Sequence, residues 1–136
     1  MPSQFKLDQK YLDIAKSWSE LSKAKRMKVG CIIVRDNQII SDGYNGTPSG
    51  FDNSCEDEEF LTKPEVLHAE SNALMKLAVG TQSSKNATVY ITLSPCFECS
   101  KLIIQAQVKR VVFSELYRLN SGIELLRKAG IAVDQI

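Results

Sequence analysis

Histidine is almost absent from this chain: its 136 residues contain a single one, His68. Metal sites built on a pair of imidazoles are therefore excluded within one chain, as is any mechanism that needs two of them. An excess of either charge is absent as well, with 17 Lys and Arg against 16 Asp and Glu and a net charge of +1. Polynucleotides are held by broad basic surfaces, so no nucleic-acid partner is expected. No apolar run approaches the roughly 18 residues of a membrane span, and no membrane association is expected. The first ten residues carry Gln4, Lys6, Asp8 and Lys10 and lack the apolar stretch of a secretory leader. A cytoplasmic location follows as the expectation. In a reducing compartment Cys31, Cys55, Cys96 and Cys99 are ligands, nucleophiles or core residues more often than disulfide partners.

What is present is globular in character. A hydrophobic share of 43% with 24% charged residues suits a packed core, and the length suits one domain over residues 1–136. Leu7, Tyr11, Ile14, Ala15, Trp18 and Leu21 recur at helical spacing. A basic stretch, Lys23 to Lys28, leads into two β-rich runs, Val29–Val34 and Gln38–Tyr44, with Asp36-Asn37 as a hairpin turn between them. Residues 45–63 read as a loop, broken by Gly46, Pro48 and Gly50, and the acidic run Glu56–Glu59 reads as a solvated face. Pro64 suits a helix start, with helix formers over Leu67–Val79 and a stop at Gly80. A strand (Ala87–Leu93), a helix (Cys96–Gln107), a strand (Val108–Ser114), a helix (Ser121–Ala129) and a strand (Ile131–Val133) follow. The order αββαβαβαβ predicts an α/β fold of three layers, a mixed five-stranded sheet with helices on both faces.

Two short motifs carry chemistry: His68-Ala69-Glu70 and Pro95-Cys96-Phe97-Glu98-Cys99. A lone histidine is usually structural, and a CxxC pair alone is open to three readings: a redox pair, half of a structural zinc knuckle, or chance. Together they offer one imidazole and two thiolates, three ligands of a tetrahedral zinc site with a fourth position open. A closed structural site would take a fourth ligand, for which Cys31 and Cys55 are the candidates. The catalytic alternative gains from position. Cys96 and Cys99 fall in a first helical turn, where the dipole and free amides favour thiolates, and Glu70 is left over as a proton carrier.

The pattern H-x-E followed by P-C-x-x-C is the signature of zinc-dependent nucleobase deaminases. With Ser22-Lys23, Lys28-Val29-Gly30, the run from Gly43 through Gly50 (GYNGTPSG) and His68-Ala69-Glu70-Ser71-Asn72-Ala73, the sequence resembles the cytidine deaminase superfamily. Within it, the chain is most similar to the deoxycytidylate (dCMP) branch, over about Leu21 to Ile131. The resemblance implies one catalytic Zn²⁺ per chain on His68, Cys96 and Cys99. Glu70 is then the catalytic proton carrier in hydrolysis of dCMP to dUMP and ammonia. It implies substrate contacts from Ser22, Lys23, Arg26, Asn45, Ala69, Ser94 and Tyr117. It also implies a homohexamer and regulation by dCTP (activating) and dTTP (inhibiting). The triphosphate, with Mg²⁺, would lie near Gly43, Tyr44, Gly46, Asn72 and Lys76. Cys31 is expected in the core, and no role is assigned to Cys55 or Glu98. A deaminase for another base, a silent nucleotide sensor and a thiol redox protein are the competing functions.

Overall fold

The computed structural model describes residues 2–136. The chain runs α1 (Gln4–Ser19), β1 (Gly30–Arg35), β2 (Gln38–Tyr44), α2 (Ala69–Ala78), β3 (Thr88–Leu93), α3 (Phe97–Gln105), β4 (Arg110–Glu115), α4 (Ser121–Lys128) and β5 (Ala132–Gln135). The expected element order and the mixed five-stranded sheet are both observed. The sheet order is β2-β1-β3-β4-β5, antiparallel from β2 to β3 and parallel from β3 to β5. Asp36 and Asn37 both take left-handed backbone angles (φ 53° and 60°), the geometry of a two-residue hairpin turn.

Both faces of the sheet are buried, and the period-two alternation of side chains divides them. Cys31, Ile33, Val89, Ile91, Val111 and Phe113 point to one face, under α2, α3 and α4. Ile32, Val34, Tyr90 and Val112 point to the other, where Leu12 and Ala15 of α1 cover them. Cys31 is wholly buried in this core, as expected.

Two helices depart from the sequence reading. The buried stripe of α1 is Asp8, Leu12, Ala15 and Ser19, rotated from the expected one, and Ile14 and Leu21 are exposed. The rotation brings Asp8 inward. Its carboxylate takes a bidentate pair from Arg110 (2.8 and 2.8 Å), the Tyr90 hydroxyl (2.7 Å) and the Gln4 amide (2.9 Å). Burial opposes its charge, but the Arg110, Tyr90 and Gln4 hydrogen bonds prevail and hold its pKa below the ordinary carboxylate value. The second departure is at α2, which begins at Ala69 and not at Pro64. Leu67 exchanges both backbone hydrogen bonds with Gly46 (2.8 and 3.0 Å), and that pairing holds it extended. His68 is thereby left as the N-cap, facing out of the helix end.

Candidate active site

The N-termini of α2 and α3 lie together on one face, and each presents a cap residue to the other. His68 caps α2, and Cys96 caps α3 with its sulfur accepting the Cys99 amide at 3.4 Å. The His68 Nδ1 lies 3.5 Å from Cys96 Sγ and 3.3 Å from Cys99 Sγ. The three donor atoms fall within 4.8 Å of one another, and neither Cys31 nor Cys55 belongs to the group. One imidazole and two sulfurs without a fourth protein ligand fit zinc with an open position, so the closed structural arrangement is not the one formed. Gly122 of α4 braces this loop from behind: a Cβ there would stand 2.3 Å from the Pro95 carbonyl oxygen and 2.8 Å from that of Cys96.

The electrostatics match a ligand set. A hydrogen bond from the Cys99 thiol, joined by contacts with His68 and the Cys99 amide, brings the Cys96 thiol down to about 4. The same hydrogen bond pushes the Cys99 thiol up, and Ser71 Oγ sits 3.5 Å from that sulfur. Contact with the Cys96 sulfur raises the His68 imidazole against its partial burial. A cation bound between the three would displace the shared protons.

Glu70, two residues into the cavity side of α2, is 3% exposed. Burial raises its carboxyl to about 7, against the opposing effects of its own backbone amide and of His68. A carboxyl that titrates near neutrality can both take and give a proton.

These groups open into a cavity of about 400 Å³. Buried Ala69, Glu70 and Ser94 form its floor, Asn45 lines its wall, and the exposed Arg26 and Arg118 stand at its rim. Tyr117, partly buried, lines it too, with the Arg118 guanidinium 5.7 Å from its ring centroid. The Tyr117 amide donates to Ser94 Oγ at 2.7 Å, which fixes rim to floor. Asn45 braces the basic segment: its Oδ1 accepts the Val29 amide (2.9 Å) and its Nδ2 donates to the Met27 carbonyl (2.8 Å).

Several expected site residues lie elsewhere. Ser22 is buried and spends its hydroxyl on the Asn45 carbonyl (2.8 Å) and the Ala24 amide (3.1 Å), so it supports the loop and does not line the cavity. Lys23 is exposed and is not a lining residue. Gly43 is buried, and a Cβ there would meet α2 backbone, so its bare Cα serves helix–strand packing and not the approach of a nucleotide. Tyr44 and Gly46 are partly exposed; Asn72 Nδ2 donates to the Tyr44 carbonyl at 2.8 Å. Lys76 forms an ion pair with Asp42, which also accepts from Trp18 Nε1 at 3.0 Å. Glu98 is exposed and paired with Lys101 at 2.8 Å, turned to solvent.

Sequence reasoning missed two charged cavity residues, Arg118 and Glu56. Arg118 has no local signal beyond its place next to Tyr117. Glu56 was hidden in the acidic run, yet it is 8% exposed, so that run is not a uniformly solvated face. Cys55 beside it is buried and also lines the cavity.

Comparison with known proteins agrees with this geometry. The family model for the cytidine and deoxycytidylate deaminase zinc-binding region matches residues 5–115. The chain is 36% identical to the deoxycytidylate deaminase of Saccharomyces cerevisiae, over 94% of its own length and 44% of that protein's. It is 43% identical to a probable deoxycytidylate deaminase of Caenorhabditis elegans, over 81% of its own length and 58% of that protein's. The chain thus spans about half the length of these two relatives. It is also similar to the crystal structure of dCMP deaminase from the cyanophage S-TIM5 in complex with dCMP and dUMP. That match has a TM-score of 0.94 and 44% identity, covering 100% of this chain and 99% of that one.

Proposed function

The chain belongs to the cytidine and deoxycytidylate deaminase family, and on that premise we propose that it hydrolyses dCMP to dUMP and ammonia. The observation that carries this reading is the convergence of His68, Cys96 and Cys99 beside a buried Glu70 at the floor of a nucleotide-sized cavity. Those three residues would hold one Zn²⁺, whose contribution when bound is to make water a nucleophile near neutral pH.

The rest of the chemistry belongs to the chain. Water adds its oxygen to C4 of the cytosine ring while Glu70 takes one of its protons and delivers it to N3. Glu70 then passes the second proton to the amino group, the C4–N bond breaks, and ammonia leaves a carbonyl at C4. A carboxyl poised at about 7 suits both transfers. The Ser94 carbonyl accepts from the exocyclic amine and the Ala69 amide donates to ring O2. Asn45 retains one donor and one acceptor site beyond its loop contacts, and these meet the sugar 3′-hydroxyl. The 5′-phosphate lies between Arg26 and Arg118, with Tyr117 closing over the base; Lys23 adds charge from outside.

We also infer regulation by dCTP and dTTP, taken with Mg²⁺ near Tyr44, Gly46, Asn72 and Lys76, in a homohexamer. Met75 on α2, Val79 at its C-cap, and Phe97 and Leu102 on α3 are exposed apolar side chains, which supports assembly. All four cysteines are unpaired, which agrees with a cytoplasmic location, and no helix among the described residues is long and apolar enough to cross a membrane.

The test is Glu70→Ala, measured for zinc content and for dUMP formation. Loss of turnover by about 10²–10⁴ with zinc retained is the expected result. Retained turnover in the variant, or wild-type turnover of deoxycytidine equal to that of dCMP, would overturn the assignment. For regulation, a millimolar excess of dTTP that changes neither initial rates nor melting temperature would remove the inhibitory site.

A further inference from the structure

Between α1 and β1 the chain runs from residue 20 to 29 without regular structure, yet this stretch carries Arg26 to the rim of the cavity. Its backbone is held by side chains far away in sequence. Asn45 takes the Val29 amide and donates to the Met27 carbonyl. Ser22 ties the start of the stretch to the Asn45 carbonyl, and a further restraint at its middle is Glu56. One carboxylate oxygen, Oε2, accepts both the Lys25 amide (3.0 Å) and the Arg26 amide (3.1 Å).

Glu56 is itself well fixed. Its loop folds as a small hairpin in which Glu56 pairs with Thr62 and the Lys63 amide donates to the Cys55 carbonyl at 2.8 Å. At the hairpin tip Asp57 Oδ1 accepts the Glu59 and Leu61 amides at 2.9 and 3.0 Å. Ser54 Oγ donates to the Glu56 carbonyl at 3.1 Å. Consecutive amides aimed at one point form a concave site that attracts anions. Here the chain fills that site with its own carboxylate.

The charge is in an odd place. A carboxylate beside the phosphate end of a nucleotide pocket repels the substrate it serves, unless its hydrogen bonds secure something of greater value. We propose that Glu56 is a positioning residue: by clamping the Lys25 and Arg26 amides it holds the Arg26 guanidinium where it meets the substrate phosphate. This rests on the reading of the pocket as a dCMP site. Glu56 touches none of the reacting atoms, so its effect falls on phosphate affinity and not on the proton transfers of Glu70.

Two substrates and three variants test it, with dCMP and deoxycytidine compared on the zinc-loaded enzyme. Glu56→Ala leaves both amides without their acceptor. Displacements of about 1 Å cost up to ~100-fold, and KM for dCMP is expected to rise at least about tenfold more than KM for deoxycytidine. The kcat for dCMP should fall less than KM rises. Glu56→Gln keeps an oxygen that accepts both amides and drops the charge, so it should restore KM for dCMP to within about threefold of wild type. If Glu56→Ala does not fold, Glu56→Asp, one methylene short of both amides, carries the same expectation. In either short variant, amide hydrogen exchange at Lys25 and Arg26 should accelerate, an effect confined to that segment. The proposal is overturned if KM rises equally for both substrates, if kcat alone falls, if Glu56→Gln is as impaired as Glu56→Ala, or if exchange at the two amides is unchanged. Wild-type enzyme that does not favour dCMP over deoxycytidine would instead overturn the pocket assignment, and the proposal with it.

Discussion

Replacing Gly43 with alanine would press directly on the helix that carries Glu70. The added methyl would lie 2.4 Å from the Ala69 carbonyl oxygen, 2.7 Å from the Ala73 amide nitrogen and 3.2 Å from the Ala73 Cβ. The two shortest contacts are to α2 backbone, so no rotamer change relieves them. Ordinary contact returns only when α2 moves off β2 by about 1 Å. Overpacking of this kind costs ~1–3 kcal/mol, offset by ~0.5–1 kcal/mol gained when a strand glycine becomes alanine. The net loss centres on about 1 kcal/mol, or roughly 4 °C in melting temperature. The functional loss should be larger, because Glu70 moves with the helix and a misplacement of ~1 Å can cost on the order of 10²-fold in rate. Thermal melts and kcat for dCMP, run side by side, give both quantities. At Gly46 a Cβ meets only Tyr44 Cε2 at 3.9 Å, so Gly46→Ala is the stability control and should melt within about 0.5 kcal/mol of wild type. Gly43→Ala with unchanged melting temperature and kcat would refute the claim that this glycine sets the α2–β2 distance.

Three further outcomes are expected. Asp8→Asn strips Arg110 of its buried partner and should cost about 3 kcal/mol in urea denaturation at pH 7. Because the folded pKa of Asp8 lies below its unfolded value, its stabilisation is complete above about pH 4 and declines as pH falls through the folded value. Wild type should therefore lose stability more steeply than Asp8→Asn on acidification, and parallel curves would contradict the assignment. Arg118→Ala should raise KM for dCMP about tenfold with little change for deoxycytidine, and added salt should narrow the difference between wild type and variant. Val79, 90% exposed at the C-cap of α2, should lie in the oligomer contact, so Val79→Asp should lower the mass seen by light scattering, and an unchanged mass would place the contact elsewhere.

The strands were legible because both sheet faces are buried: continuous apolar runs such as Cys31–Val34 admit little else. The candidate metal ligands were legible because the two motifs carry their chemistry within three and four residues. What escaped the sequence depends on distant partners. Asp8 looks like a solvent-facing helix residue until Arg110, 102 positions on, is brought against it. Glu56 is set apart from the exposed Asp57, Glu58 and Glu59 by its contact with two amides about 30 residues earlier. The start of α2 was misplaced because Pro64 and the helix formers after it signal propensity, while the Gly46–Leu67 pairing that overrides it is tertiary. Ser22 and Gly43 belong to the motif region yet perform structural tasks, since spacing alone does not separate a residue that touches the ligand from one that holds the loop.

The Asp8–Arg110 clasp also orders events in time. During synthesis α1 leaves the ribosome well before the arginine that neutralises its inward carboxylate, which lies 102 residues further on. Until β4 has joined the sheet, docking α1 would bury an unpaired charge. Stable docking of α1 on its face of the sheet is therefore a long-range closure, expected only once β4 is in place and not from the neighbouring hairpin alone.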